Sequence, residues 1–107
     1  MLASATDLYR WVAALMSRSI IGARELAQLD HAGMALPGPQ RVHLAFGGIV
    51  ARSASGQVAA VGGGTDFGFT ADVRRFFGRR LITVILSNST VAPADQMGFA
   101  VAGALRL

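Results

Sequence analysis

Hydrophobic periodicity predicts an α+β fold for this chain, an antiparallel sheet of about four strands flanked by an N-terminal and a C-terminal helix. Two helical patterns stand at the two ends of the sequence, where apolar residues recur at spacings of three and four. Between them the period changes to two, with Val42, Leu44 and Phe46 alternating with Arg41, His43 and Ala45. The run Leu81-Ile82-Thr83-Val84-Ile85-Leu86 is apolar almost throughout, as a strand covered on both faces is expected to be. Helices are required on a sheet this apolar, because it cannot face water unaided.

The first helix opens at Ser4, a side-chain cap, with Asp7 three residues on to complement the helix dipole. Leu8, Trp11, Val12, Leu15 and Met16 form its apolar stripe, and the helix is expected to end near Ser17 to Ser19. A short helical stretch over Ala23 to Leu29 follows, then a loop carrying Asp30, His31, Gly33, Pro37, Gly38 and Pro39. The first strand runs from Arg41 to Val50, bulged or closely approached at Gly47-Gly48. Ser53 to Gly56 is a turn cluster, so Gln57 to Gly63 returns antiparallel to that strand. A third strand covers Phe69 to Phe76, with a turn at Phe77 to Arg79. Leu81 to Ser87 forms the fourth and central strand. Pro93 sits at a first helical position with Asp95 in the first turn, and Met97, Ala100, Val101, Ala104 and Leu105 give the closing helix one apolar face.

At 107 residues the chain builds one core, so residues 1–107 form a single domain without internal repeats. Its 52% hydrophobic content and mean hydropathy of +0.46 sit high for a soluble domain, yet no run of about 18 apolar residues could span a bilayer. Asp7 and Arg10 interrupt the N-terminal apolar positions and no basic segment precedes them, which argues against a signal peptide and for a cytoplasmic location. There is no cysteine, hence no disulfide, thiolate nucleophile or Cys-type zinc site. All ten basic residues are arginine, so no lysine base exists, and the net charge of +4 leaves an anionic partner as a minority expectation.

The most distinctive stretch is Val61-Gly62-Gly63-Gly64-Thr65-Asp66-Phe67-Gly68-Phe69, where a strand enters small and flexible positions. Two readings stand: glycines that supply a tight strand-to-loop turn for structural reasons, or a backbone edge whose N–H groups bind a carbonyl oxygen or other anion. A nucleotide loop is excluded, because GxxxxGK[ST] is absent and GxGxxG requires a helix after the glycines. His31 and His43 have no Gly-x-Ser-x-Gly elbow to serve and no third ligand at metal spacing, so both read as structural and no metal or cofactor is expected. Arg74, Arg75, Arg79 and Arg80 read as the solvated tip of a hairpin; phosphate binding would ask for a broader basic face with aromatic or amide readers.

Taken together, Gly63-Gly64-Thr65-Asp66-Phe67-Gly68-Phe69, Val73 to Phe76, the strand Leu81 to Leu86, Leu86-Ser87-Asn88 and the Pro93-started helix resemble the end of class C β-lactamases and related penicillin-binding-protein-like esterases. Leu2 to Trp11 is similar to the helix those enzymes carry between their second and third motifs, and Leu44-Ala45-Phe46-Gly47-Gly48 occupies the place of their Tyr-Gly-x-Gly-Trp strand. The resemblance implies the C-terminal portion of the β-lactamase-like fold. It sets the family's third motif, Lys-Thr-Gly or His-x-Gly, on Val61-Gly62-Gly63, with the N–H of Gly64 as oxyanion donor beside Thr65. Val61 replaces the basic or imidazole side chain that would bind or polarise a substrate carboxylate.

The family's Ser-x-x-Lys and Tyr-x-Asn motifs would precede Met1, and neither occurs in the chain: there is no lysine, and Tyr9 is followed by Arg10 and Trp11. The resemblance therefore implies no catalytic residue in the isolated chain. The first expectation is a non-catalytic remnant or C-terminal piece of a serine hydrolase that self-associates as a dimer, because sheet and helix surfaces that the family covers with N-terminal parts are left open. The second is a component that completes an active site with an N-terminal hydrolase chain, in a family that is often periplasmic or secreted. A third is a small Arg-rich module for an anion or nucleic acid.

Overall fold

The computed structural model describes residues 2–31, 33–38, 41–45 and 48–107. Three helices, α1 (Ala5–Met16), α2 (Ala23–Leu29) and α3 (Ala94–Ala104), accompany five strands, β1 (Arg41–Ala45), β2 (Gly48–Arg52), β3 (Val58–Asp66), β4 (Phe69–Phe76) and β5 (Leu81–Ser87). The strands form one antiparallel sheet in the order β1-β2-β3-β4-β5, a meander in which each strand pairs with its sequence neighbour. The fold is α+β, as the two periodicities imply.

Ser4 and Asp7 start α1 through a reciprocal cap: the Asp7 N–H donates to Ser4 Oγ at 3.1 Å, and the Asp7 carboxylate accepts the Ser4 N–H at 3.3 Å. The stripe then turns Val12 into the core, with Leu8, Leu15 and Met16 half-buried, while Trp11 remains 53% exposed. α1 and α2 lie on the sheet face that carries Val50, Ala60, Val73 and Arg75. α3 lies on the opposite face, against Thr70 and Arg74.

Three expectations are corrected. The segment Arg41 to Val50 is two strands, because Ala45 pairs with Gly48 and Arg41 with Arg52, so the chain reverses between β1 and β2. Gly48, at φ 138°, takes a conformation that side-chain-bearing residues rarely adopt, which explains a reversal in place of a bulge. Phe46 and Gly47, placed in that strand by the sequence reading, lie outside the described residues, as does Pro39 of the preceding loop. Residues 58–61 therefore return along β2 alone, from Arg52 opposite Val58 to Ile49 opposite Val61.

The run Leu81 to Leu86 ends the sheet instead of centring it. Its apolar character on both sides has another cause: α1 covers one face of β5 and α3 the other. The third correction concerns α3, where Ala94 and Gly98 are buried and Met97 and Ala102 half-buried, while Ala100, Val101, Ala104 and Leu105 point outward. Small residues let the helix approach the sheet closely, and Pro93 stands as the cap just outside the helix.

The core is thin for so apolar a chain. Among the described residues the buried hydrophobic side chains are Val12, Val50, Ala59, Phe76 and Ala94, and no large side chain is completely enclosed. α3 packs mainly on β4 and β5. Beside it a hollow of about 710 Å³ opens over the other half of the same face, lined by Val42, Ile49, Ala59, Val61 and Phe99.

Candidate functional site

Gly62 to Thr65 occupy the exposed second half of β3, and Val61, half-buried, is the last residue paired with β2. Beyond Val61 the strand runs on with β4 at one side, from Gly62 opposite Val73 to Asp66 opposite Phe69, and with no described strand at the other. The Phe77 N–H donates to the Val58 carbonyl at 2.9 Å, which makes Val58 and Phe77 a hydrogen-bonded pair. Antiparallel ladders alternate, so Ala60, Gly62 and Gly64 also exchange bonds with β4, whereas Gly63 and Thr65 turn their N–H and C=O groups to the open edge. The Ser53 N–H bonded to the Gln57 carbonyl at 2.8 Å fixes the same alternation from the β2 side.

The resemblance made the Gly64 N–H the oxyanion donor; the ladder directs that group at Ala71, and the outward N–H groups nearest the motif are those of Gly63 and Thr65. The three glycines also differ in what surrounds them. A Cβ at Gly63 would fall on the Ala71 carbonyl oxygen of β4, whereas one at Gly62 or Gly64 would meet nothing within 4 Å. The tight strand-to-loop turn expected at the glycines is not there, because β3 continues through them to Asp66 in register with β4; Gly63 has a structural reason of another kind, the close approach of the Ala71 carbonyl.

No activated nucleophile stands beside this edge among the described residues. Ser87 and Asn88 line a shared hollow with Gly64 and Thr65, but the Ser87 hydroxyl bonds locally to the Ser89 carbonyl at 3.2 Å. Neither histidine reaches it: His31 is exposed and lines a separate apolar hollow with Glu25 and Met34, and His43 sits half-buried on β1 opposite Val50. Ser4 is engaged in the α1 cap, and Tyr9 points away from α1 at 51% exposure. Among the described residues no three His, Asp or Glu side chains come together as a metal site.

The polar centre of the molecule lies on β4, and sequence reasoning missed it. Burial alternates along β4, placing Thr70, Asp72, Arg74 and Phe76 beneath α3. Arg74 Nε donates to Asp72 Oδ2 at 2.8 Å and its Nη2 to Asp72 Oδ1 at 3.1 Å, with both residues buried. The same Nη2 donates to the Asp95 carbonyl at 3.1 Å, and the guanidinium lies 4.2 Å from the centre of the Phe99 ring. Thr70 Oγ1 accepts the Ala94 N–H at 3.0 Å, so a sheet residue caps the first turn of α3. Gly98 makes room, since a Cβ there would collide with the Asp72 carboxylate. Opposite charges two apart on a strand share one face, and Asp72-x-Arg74 beside Thr70 and Phe76 was the signal available in the sequence.

Arg75, on the other face, forms a two-point ion pair with Asp30 at the end of α2, Nη1 to Oδ2 at 2.9 Å, and lies over the Phe77 ring. The expected solvated cluster of four arginines therefore divides. Arg74 and Arg75 hold helices to the sheet, Arg79 donates to Gln57 Oε1 at 2.8 Å, and Arg79 and Arg80 are the exposed pair at the turn.

Comparison of the chain with protein-family models, with curated proteins and with solved structures finds no match.

Proposed function

We propose that this chain is a non-catalytic C-terminal sheet-and-helix portion of a β-lactamase-like serine hydrolase, and that it associates with itself. The observation that carries the reading is β5: apolar on both faces, covered by α1 and α3, and yet the last strand of its sheet. A strand of that composition suits the interior of a larger sheet. The half-uncovered face beside α3 supports the same reading, as does the resemblance of the glycine segment, β5 and α3 to the end of that family. Catalysis is left out because a serine nucleophile needs an adjacent base, and the outward N–H groups of Gly63 and Thr65 have no oxyanion to stabilise without one.

Purified protein is expected to hydrolyse neither a chromogenic β-lactam nor a short-chain ester above a heat-treated control. Hydrolysis that co-purifies with the folded chain and is lost on unfolding overturns this reading. The open edge of β3 favours a second reading, in which a chain carrying Ser-x-x-Lys and Tyr-x-Asn completes the site. Activity that arises only on mixing with such a chain would promote it.

Binding to nucleic acid is disfavoured because Arg74 and Arg75 are occupied internally. At about 150 mM salt, where exposed charges are screened beyond about 8 Å, no association with a labelled DNA or RNA duplex is expected in fluorescence anisotropy. Retained micromolar affinity that vanishes in an Arg79→Ala, Arg80→Ala variant would restore the anion-binding alternative.

A further inference from the structure

We propose that the edge of β5 is where this chain binds a second copy of itself, the two β5 strands pairing antiparallel about a two-fold axis at Val84. The proposal rests on the self-association in the reading above and gives it a surface and a register. It starts from the ladder. Because Ala71, Val73 and Arg75 exchange bonds with β3, the alternation turns Thr70, Asp72, Arg74 and Phe76 toward β5, where they face Ser87, Ile85, Thr83 and Leu81. Ile82, Val84 and Leu86 consequently direct their N–H and C=O groups away from the sheet. Among the described residues none of these groups has a hydrogen-bond partner.

The opposite edge of the sheet is treated differently. The segment from Gly33 to Leu36 lies along β1 and covers most of that edge, with the Gly33 N–H donating to the Leu44 carbonyl at 2.7 Å, the Leu44 N–H to the Met34 carbonyl at 2.9 Å and the Leu36 N–H to the Val42 carbonyl at 2.9 Å. Open edges are normally guarded by charged side chains, proline, bulges or a covering segment. From Leu81 to Ser87 there is no charge, no proline and no break in register. An unguarded edge of this length is a template for another strand.

Symmetry selects the occupant. With the axis at Val84, Val84 meets the partner's Val84, Ile82 meets the partner's Leu86, and each outward residue exchanges both backbone bonds, giving one ten-stranded sheet. Side chains stay in kind: Ile82, Val84 and the 41% exposed Leu86 meet on the α1 side. Charge agrees with the direction, since the antiparallel two-fold sends the two Arg79-Arg80 pairs to opposite ends of the interface, each beside the partner's Asn88. Parallel pairing would set them against each other.

The test uses light scattering and single cysteines in this cysteine-free chain. Wild-type protein at micromolar concentration is expected at about 22 kDa, twice the 11.1 kDa of one chain. Val84→Pro removes an outward N–H and no bond to β4, so it is expected to halve the mass with the circular dichroism unchanged. Leu86→Lys, which leaves the backbone intact, is expected to do the same by guarding the edge. Val84→Cys is expected to form a disulfide-linked dimer on mild oxidation, because paired Cα atoms stand about 5.5 Å apart. Ile82→Cys and Leu86→Cys are not, because each lies more than about 13 Å from its own symmetry copy. A monomeric wild type, or equal cross-linking at all three positions, overturns the proposal. A dimer that survives both Val84→Pro and Leu86→Lys overturns it too, while leaving the reading of a self-associating hydrolase portion standing on another surface.

Discussion

Asp72→Ala is expected to lower the stability of the folded chain by about 3–5 kcal/mol, the range for removing one partner of a buried ion pair. The side chains of Asp72 and Arg74 are 3% and 7% exposed, so water cannot take over the role of the missing carboxylate. Arg74 would remain beneath α3 with its bonds reduced to the Asp95 carbonyl and the Phe99 ring. A domain of this length typically has about 5–15 kcal/mol in total, so the variant sits near the limit of folding. Denaturant titration followed by circular dichroism measures the loss. Arg74→Met leaves a buried carboxylate without its donor and is expected to be as damaging. The double variant Asp72→Leu, Arg74→Met removes both charges together and is expected to recover most of the stability, because an apolar pair of similar volume needs no desolvation to be overcome. Asp72→Ala within about 1 kcal/mol of wild type would mean that the ion pair does not hold α3 to the sheet.

The elements that local chemistry dictates were legible in the sequence. Ser4 and Asp7 placed the start of α1, the spacing of Leu26 and Leu29 the short α2, and the runs Phe69 to Phe76 and Leu81 to Ser87 their strands to the residue. What failed was what depends on partners distant in sequence. An apolar run signals burial on both faces but not the number of its strand neighbours, so β5 read as central although helices cover it. Alternation across Val42 to Val50 continues through a reversal just as it does through a bulge, which hid the β1–β2 hairpin. Arg74 and Arg75 looked alike in a charge cluster. Opposite side-chain directions on β4 sent one to Asp72 beneath α3 and the other to Asp30 beside α2. Among the site positions, Val61 to Gly63 were read on a strand, but the strand was expected to end at Gly63 and instead runs to Asp66, because pairing with β4 carries it through the glycines; which N–H groups face outward depends on the ladder phase set by β2 and β4.

Substitution of the three glycines one at a time is expected to separate structure from binding in that segment. In Gly63→Ala the new methyl group meets the Ala71 carbonyl oxygen and stands 3.3 Å from Asp72 Cα, both backbone atoms of the neighbouring strand. Backbone cannot swing aside as a side chain does, so the β3–β4 ladder has to shift, and the expected loss is about 1–3 kcal/mol. Because Asp72 belongs to that stretch of β4, the shift also strains the ion pair under α3. Gly62→Ala and Gly64→Ala meet open space and lie within extended strand, so each is expected to be neutral or to gain about 0.4–1 kcal/mol through a less flexible unfolded chain. Alanine keeps the backbone N–H at all three positions, so none of these changes removes a donor. Thermal unfolding of the three variants under one condition reads the difference. A harmless Gly63→Ala together with a destabilising Gly64→Ala would reverse the assignment of the close approach. The phase of the β3–β4 ladder, and with it the choice of Gly63 and Thr65 as outward donors, would then be wrong by one residue.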